Sequence, residues 1–172
     1  MKIAQVGESI LKTPAISVSP TDLLTEELAH FLKALKQTML DASGIGIAAP
    51  QVFDPRAIMI IASRPNARYP DAPLMEPLVL INPKVIASSD TQVKDWEGCL
   101  SVPGLRGRVK RFEWIEIEYM AENGDIIKRL FDGFVARIFQ HEFDHLIGKT
   151  WLDHIESADD VMANEVWQKK YC

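Results

Sequence analysis

The segment that most constrains this chain is Q-H-E-F-D-H-L-I-G at residues 140–148, which contains the pattern H-E-x-x-H. Successive residues of an α-helix turn by about 100°, so His141 and His145 point in nearly the same direction, one turn apart. Glu142 stands beside the first histidine, where it can take a proton from a water that a metal ion activates. Gly148 is suited to end the helix. The pattern therefore predicts a helix that carries two metal ligands and a general base.

Two histidines are not a complete catalytic metal site, which needs three protein ligands and one open position. Two candidates for the third ligand lie elsewhere in the chain. Cys99, upstream, would add a thiolate to two imidazoles, a set that suits Zn or Fe(II). Glu165, twenty residues after His145, would instead give a thermolysin-like zinc endopeptidase. The spacing alone also allows two histidines that bind no metal, and all three hypotheses stay open at this point.

The bulk properties exclude several classes of protein. The chain has 172 residues, enough for one domain, and a net charge of −5 without a long basic run. This charge argues against a nucleic-acid-binding surface and against tight attachment to an anionic membrane. The apolar runs are too short to span a bilayer, and the first fifteen residues lack the features of an export signal. We therefore expect Cys99 and Cys172 to be free thiols in a reducing cytosol.

Hydrophobic periodicity predicts helices and short strands in alternation. One helix is expected from about residue 20 to Ala42, ended by Gly44, and another at about 157–168. Residues 63–77, rich in proline, are expected to form an irregular excursion. Short strands are expected at 56–62, 78–87 with a break near Asn82, 92–96, 114–121 and 126–131, the last two joined by a turn at Asn123–Gly124. The fold class is therefore α+β, with short, mainly antiparallel strands wrapped around a central helix that carries the histidines.

Three stretches, taken in chain order, resemble the signature motifs of the peptide deformylase family. They are G-I-G-I-A-A-P-Q at 44–51, E-G-C-L-S at 97–101 and Q-H-E-F-D-H at 140–145. The resemblance extends over nearly the whole chain, to about Asp153. It implies a single catalytic domain over residues 1–172. It also implies a hydrolase that removes the N-formyl group from the N-terminal formylmethionine of newly made polypeptides and releases formate.

The resemblance also implies roles for individual residues. Cys99, His141 and His145 would hold one divalent metal ion, natively Fe(II), with Zn, Ni or Co as possible substitutes. Glu142 would be the acid and base, and Gln51 and the backbone N–H of Leu100 would hold the developing oxyanion. Residues expected to bind the substrate chain or its first side chain are Ile45, Gly46, Gly98, Arg106, Phe134 and Ile138.

Two charged residues near the ligands need an explanation. Glu97 is predicted to steady the ligand loop, with Arg111 as its partner. Arg137 falls on the face that carries the ligands. Either its stem packs while its head reaches water, or the side-chain pocket has a different shape from the apolar slot expected here.

The implied partners are N-formylmethionyl nascent peptides, with a transient ribosome contact as a further expectation and no nucleic acid or membrane. The implied location is the bacterial cytoplasm, or an organelle if a transit peptide has been removed. An inactive metal-binding domain remains an alternative, although the presence of Glu142 and Gln51 argues against it.

Overall fold

The structure is a computed structural model and describes residues 1–65 and 70–172. Within these residues there are three α-helices: α1 Glu26–Asp41, α2 Gly133–Leu146 and α3 Asn164–Tyr171. The strands of the same part of the chain are β1 Gly46–Ala48, β2 Ile58–Ser63, β3 Met75–Ser88, β4 Gln92–Cys99, β5 Val102–Phe112, β6 Trp114–Met120, β7 Ile126–Asp132 and β8 Val161–Ala163. Short 3-10 helices lie at Ser9–Lys12, Asp22–Leu24, Ala49–Val52, Trp151–His154 and Ala158–Asp160.

The strands form two antiparallel sheets around α2. The larger sheet has the order β1-β2-β3-β6-β7, and the smaller has the order β4-β5-β8. Helix α2 contacts β1, β2, β6 and β7 of the larger sheet and β5 of the smaller one. The predicted α+β class, with mainly antiparallel strands wrapped around a central helix, is confirmed.

The end of α2 is set by a glycine, as predicted. Gly148 has a φ of +73°, in the left-handed region that glycine adopts without strain. The N–H of Lys149 donates to the carbonyl of Asp144 at 2.8 Å, and the N–H of Gly148 donates to that of His145 at 3.4 Å. This Schellman arrangement satisfies carbonyls that the helix leaves free, immediately after its second histidine.

The hairpin of β6 and β7 also confirms the prediction. Trp114 pairs with Asp132 and Met120 with Ile126, across a turn in which Gly124 has a φ of +89°. The alternate residues of β6, namely Ile115, Ile117 and Tyr119, are buried against α2 and β3. The alternation in the sequence therefore reports correctly which face of this strand meets the core.

The first helix differs from the prediction at both ends. Residues Asp22–Leu24 form a separate 3-10 turn, and α1 begins only at Glu26 because Thr25 is its cap and accepts from the N–H of Leu28 at 3.3 Å. At the other end, Ser43, and not Gly44, is the residue with a left-handed backbone, with a φ of +53°.

The predicted break in β3 is wrong. The strand continues through Asn82, whose φ of +50° coincides with a shift of register. The side-chain amide of Asn82 exchanges two hydrogen bonds with the backbone of Val18, each of 2.8 Å, so the irregularity is stabilised from outside the sheet. Because β2 reaches Ser63 and β3 begins at Met75, the proline-rich excursion is shorter than expected. Its residues 66–69 lie outside the described part of the chain.

The expected helix over 157–168 is confirmed only in its second half. Residues Val161–Ala163 form β8, and α3 begins at Asn164. Pairing of β8 with Leu105, Arg106 and Gly107 of β5 fixes this short segment as a strand.

Both cysteines, Cys99 and Cys172, are free, as predicted. Over residues 1–65 and 70–172, none of the helices combines the length and apolar character needed to cross a membrane.

Candidate metal and catalytic site

The structure brings the three predicted ligand side chains together. Cys99 ends β4, and His141 and His145 lie on consecutive turns of α2. Their ligand atoms all lie within 4.8 Å of one another, and the Cys99 Sγ is 3.3 Å from the His145 Nε2. Among the His, Cys, Asp and Glu residues that the structure describes, this is the one group with such spacing.

The chemistry of this cluster fits a divalent metal ion. Burial by itself would raise the pKa of the Cys99 thiol, but the positive charges of His145 and His141 outweigh it and lower that pKa to about 5. Cys99 is therefore a thiolate at neutral pH, the form that binds metals. One partly buried thiolate with two buried imidazoles, held close together, is a donor set that Zn and Fe(II) accept.

A buried carboxylate holds the first histidine. Glu97 Oε2 lies 2.8 Å from the Nδ1 of His141, which leaves the Nε2 of that ring for a metal. Arg111 donates to both oxygens of Glu97, at 2.9 and 3.0 Å. Burial opposes the charge of Glu97, but Arg111 and then His141 outweigh it and hold the pKa of this carboxyl well below its usual range. The predicted contact between Glu97 and Arg111 is present.

The same network continues away from the ligands. A second terminal nitrogen of Arg111 lies 2.7 Å from Asp144 Oδ2, and the Nε2 of His154 lies 2.9 Å from the same oxygen. Arg111 is thus shared between two buried carboxylates, one on β4 and one on the ligand helix.

Of the two explanations offered for Arg137, the structure supports the pocket of a different shape and not a head that reaches water. This residue is buried, and its NH1 donates to Glu97 Oε1 at 2.8 Å. The same nitrogen also donates to the carbonyl of Val109 on β5 at 3.2 Å, and the other terminal nitrogen donates to that of Val93 on β4 at 2.6 Å. Arg137 also lines the side-chain cavity, so the pocket has a charged wall that the sequence interpretation left open.

Glu142 is buried beside the ligands with one oxygen uncommitted. Burial is the main cause that raises the pKa of Glu142, to about 7, with smaller contributions from Cys99 and Glu97 against the opposing charges of His141 and His145. Its Oε2 has no hydrogen-bond partner among the residues that the structure describes. A carboxyl with this pKa can both accept and return a proton near neutral pH.

Gly46 makes room for that carboxyl. A Cβ at position 46 would lie 2.7 Å from both Cγ and Cδ of Glu142, closer than real atoms approach. The strand β1 therefore passes directly against the predicted base, which only a residue without a side chain permits.

Gln51 is fixed in one orientation. Its Oε1 accepts from the N–H of Ala48 at 2.8 Å, so its Nε2 points towards the ligand loop. There it donates to the Oγ of Ser101 at 3.1 Å and lies 3.7 Å from the Sγ of Cys99. Ser101 was missed as a partner in the sequence, although it belongs to the quoted E-G-C-L-S segment.

The other residues predicted to bind the substrate line two adjoining cavities. The larger, of about 230 Å³, adjoins the ligands and is lined in part by Gly46, Gly98, Leu100 and Arg106. The smaller, of about 50 Å³, is lined by the expected Ile45, Phe134 and Ile138, and also by Trp96 and Arg137, which were not expected there.

Glu165 lies away from this site. It is exposed on α3 and does not belong to the cluster of ligand atoms. Its neighbour Asn164 instead accepts a hydrogen bond from Arg106. The thermolysin-like alternative is therefore wrong.

A thiolate, two buried imidazoles and a buried carboxyl with a raised pKa, held on an α+β scaffold, define a metal-dependent hydrolase. Comparison with known proteins gives its family. Residues 1–161 match the family model described as Polypeptide deformylase. Peptide deformylase 2 of Nostoc sp. is 44% identical over 169 residues, which cover 98% of this chain and 93% of that protein. Peptide deformylase 2 of Shewanella oneidensis is 49% identical over 166 residues, covering 96% and 90%.

Solved structures agree with the sequence relatives. A class I type b peptide deformylase from Acinetobacter baumannii with Met-Ala-Ser bound superposes with a TM-score of 0.87 at 44% identity, covering 89% of this chain and 96% of that one. A peptide deformylase from Synechococcus elongatus in complex with actinonin gives 0.79 at 37% identity, covering 98% and 86%. The chain belongs to the polypeptide deformylase family, hydrolases that remove the N-formyl group from nascent peptides.

Proposed function

We propose that this chain releases formate from N-formylmethionyl peptides with one divalent metal ion held by Cys99, His141 and His145. The observation that carries the proposal is the approach of these three ligand atoms to within 4.8 Å of one another, with the buried Glu142 lining the same cavity. A relative from Acinetobacter baumannii was solved with Met-Ala-Ser bound, which supports a peptide beginning with methionine as the product.

The residues around the cluster have distinct tasks in this proposal. A divalent metal, when bound, would favour the ionisation of a water molecule and draw electron density from the formyl carbonyl. Glu142 accepts the proton of the attacking water and later gives it to the leaving amine, and a pKa of about 7 suits both transfers. The amide of Gln51 and the backbone N–H of Leu100 stabilise the oxyanion, each by about 3 kcal/mol.

Glu97 is proposed to retain the metal by orienting His141. In Glu97→Gln the charge that favours a bound cation is lost and Arg111 keeps only a weaker acceptor. We expect metal affinity to fall about 10- to 100-fold. Competition with a chromophoric chelator measures this, and an unchanged affinity would reject the role.

We propose Fe(II) as the native metal, with Zn, Ni or Co able to replace it. The thiolate of Cys99 supports a transition metal over a hard cation such as Mg²⁺. The same thiolate would then be the group most exposed to oxidative damage. Elemental analysis of protein prepared without oxygen identifies the native metal, and an active preparation that contains Zn and no iron would contradict Fe(II).

The cellular location of the protein and its contact with the ribosome are also proposals. We place residues 1–172, as one catalytic domain, in the bacterial cytoplasm, where they meet nascent peptides. A transient contact with the ribosome belongs to the same proposal. Co-sedimentation of the protein with ribosomes at low salt tests that contact.

Formate release from formyl-Met-Ala-Ser tests the central proposal. Wild type releases formate, whereas Glu142→Ala and Cys99→Ala do not, the first while retaining metal and the second after losing it. Glu165→Ala serves as the matched control and keeps full activity, because this residue is exposed on α3. Formate release by Cys99→Ala at the wild-type rate would overturn the assignment of the ligands.

A further inference from the structure

Arg106 is held in place by residues that follow the deformylase motifs in the chain. It lies on β5, is only 2% exposed and lines the larger cavity. Its guanidinium carbon lies 3.8 Å from the centre of the Trp167 ring, and its Nε donates to the Oδ1 of Asn164 at 2.9 Å. A Cβ at Gly98 would lie 3.5 Å from the same guanidinium carbon. The group thus contacts an indole ring and lies close to the backbone next to Cys99.

Asn164 and Trp167, which contact Arg106, both come from the tail of the chain. Asn164 is the first residue of α3, and Trp167, which is buried, follows three positions later on the same side of the helix. The pairing of Met162 in β8 with Arg106 brings the start of α3 beside β5. These residues lie beyond 161, where the match to the family model ends.

We propose that Asn164 and Trp167 are positioning residues that hold the Arg106 guanidinium at the edge of the cavity to bind a main-chain carbonyl of the peptide beyond the formylated residue. A free arginine side chain samples many rotamers. A guanidinium that is already fixed loses less of this freedom when the peptide binds. The proposal rests on the role of Arg106 in binding the substrate chain.

Kinetics with formyl-Met-Ala-Ser separates this role from a structural one. Asn164→Ala removes the acceptor for the Arg106 Nε, and we expect KM to rise about tenfold, the equivalent of one such hydrogen bond, with kcat unchanged. Asn164→Asp keeps an acceptor at the same place and restores KM to near the wild-type value. Trp167→Leu raises KM, whereas Trp167→Phe, which keeps a ring, has a smaller effect. Glu165→Ala on the same helix is the control and leaves both constants unchanged.

A double substitution tests whether Asn164 acts through Arg106. Adding Asn164→Ala to Arg106→Ala should raise KM no further, because the group that Asn164 holds is gone. Metal content should equal that of wild type in every variant. A full additional rise in KM, an Asn164→Asp variant no better than Asn164→Ala, or a loss of metal in Asn164→Ala would each overturn the proposal. Failure of the proposed function would instead appear as no formate release by wild type.

Discussion

The two faces of α2 carry side chains of different chemistry. One face is apolar, and its Phe139 packs with Phe131 and Phe143 at ring-centre distances of 6.1 and 5.7 Å against the larger sheet. The other face carries Arg137 and Asp144 beside the two ligand histidines, and it meets buried charges of the smaller sheet. A single helix thus has a hydrophobic anchor on one side and an ionic network on the other.

The difference shows how the fold separates anchoring from chemistry. Apolar contacts are roughly proportional to buried area and have no fixed direction, so the larger sheet can anchor the helix without determining the ligand geometry. Buried charges are stable only when paired, so the removal of one leaves its partners without compensation. We therefore expect substitutions on the apolar face to change stability alone, and substitutions in the network to change stability and metal binding together.

The largest effect on stability is expected from Phe139→Ala. This residue is fully buried, and loss of its ring should reduce the free energy of unfolding by about 3–5 kcal/mol. Urea unfolding measures this loss, while kcat/KM at 20 °C should remain at the wild-type value. Phe139→Leu is the milder companion, with a loss below about 1.5 kcal/mol. A marked fall in kcat/KM of the folded variant would show that the two faces are not separate.

The second-largest effect on stability is expected from Arg111→Met. This substitution leaves Glu97 and Asp144 as buried carboxylates without their shared partner. The free energy of unfolding should fall by about 3 kcal/mol, and metal affinity should fall with it. Chelator competition and urea unfolding of the same preparation measure both. Lys110→Met, at the adjacent and exposed position of β5, is the control and should change neither. A destabilised Arg111→Met that binds metal as wild type does would contradict the coupling.

A smaller effect, confined to activity, is expected from Gly46→Ala. The added methyl group needs the space of Glu142 and should displace its carboxyl, at a cost of about a hundredfold in kcat/KM. Metal content should be unchanged, because no ligand is touched. A loss of metal from Gly46→Ala, or a kcat/KM equal to that of wild type, would show that residue 46 does not act through the Glu142 carboxyl.

Motifs with a fixed spacing predicted the proximity of His141, Glu142 and His145 and the stop at Gly148, because each depends on neighbouring residues of one helix. The choice of Cys99 over Glu165 came from the resemblance to a family, because that residue lies on a distant strand. The surroundings of Arg137 could not be predicted in this way. They depend on carbonyls of Val93 and Val109 that strands distant in sequence present to it. Residues Val161–Ala163 likewise have no periodicity long enough to distinguish a strand from a helix, and their pairing with β5 decides the outcome.

The contacts that form the site join distant parts of the chain, so the order of translation limits when the site can form. Cys99 contacts a histidine 46 residues later, Gln51 a serine 50 residues later, and Arg106 an asparagine 58 residues later. Such contacts close late in folding, because long loops must first be ordered. During its own translation, the chain can therefore capture metal only after α2 has emerged and complete its cleft only after α3 has. The three ligand side chains are therefore all present once residue 145 has been made, whereas the contact that holds Arg106 needs residue 164.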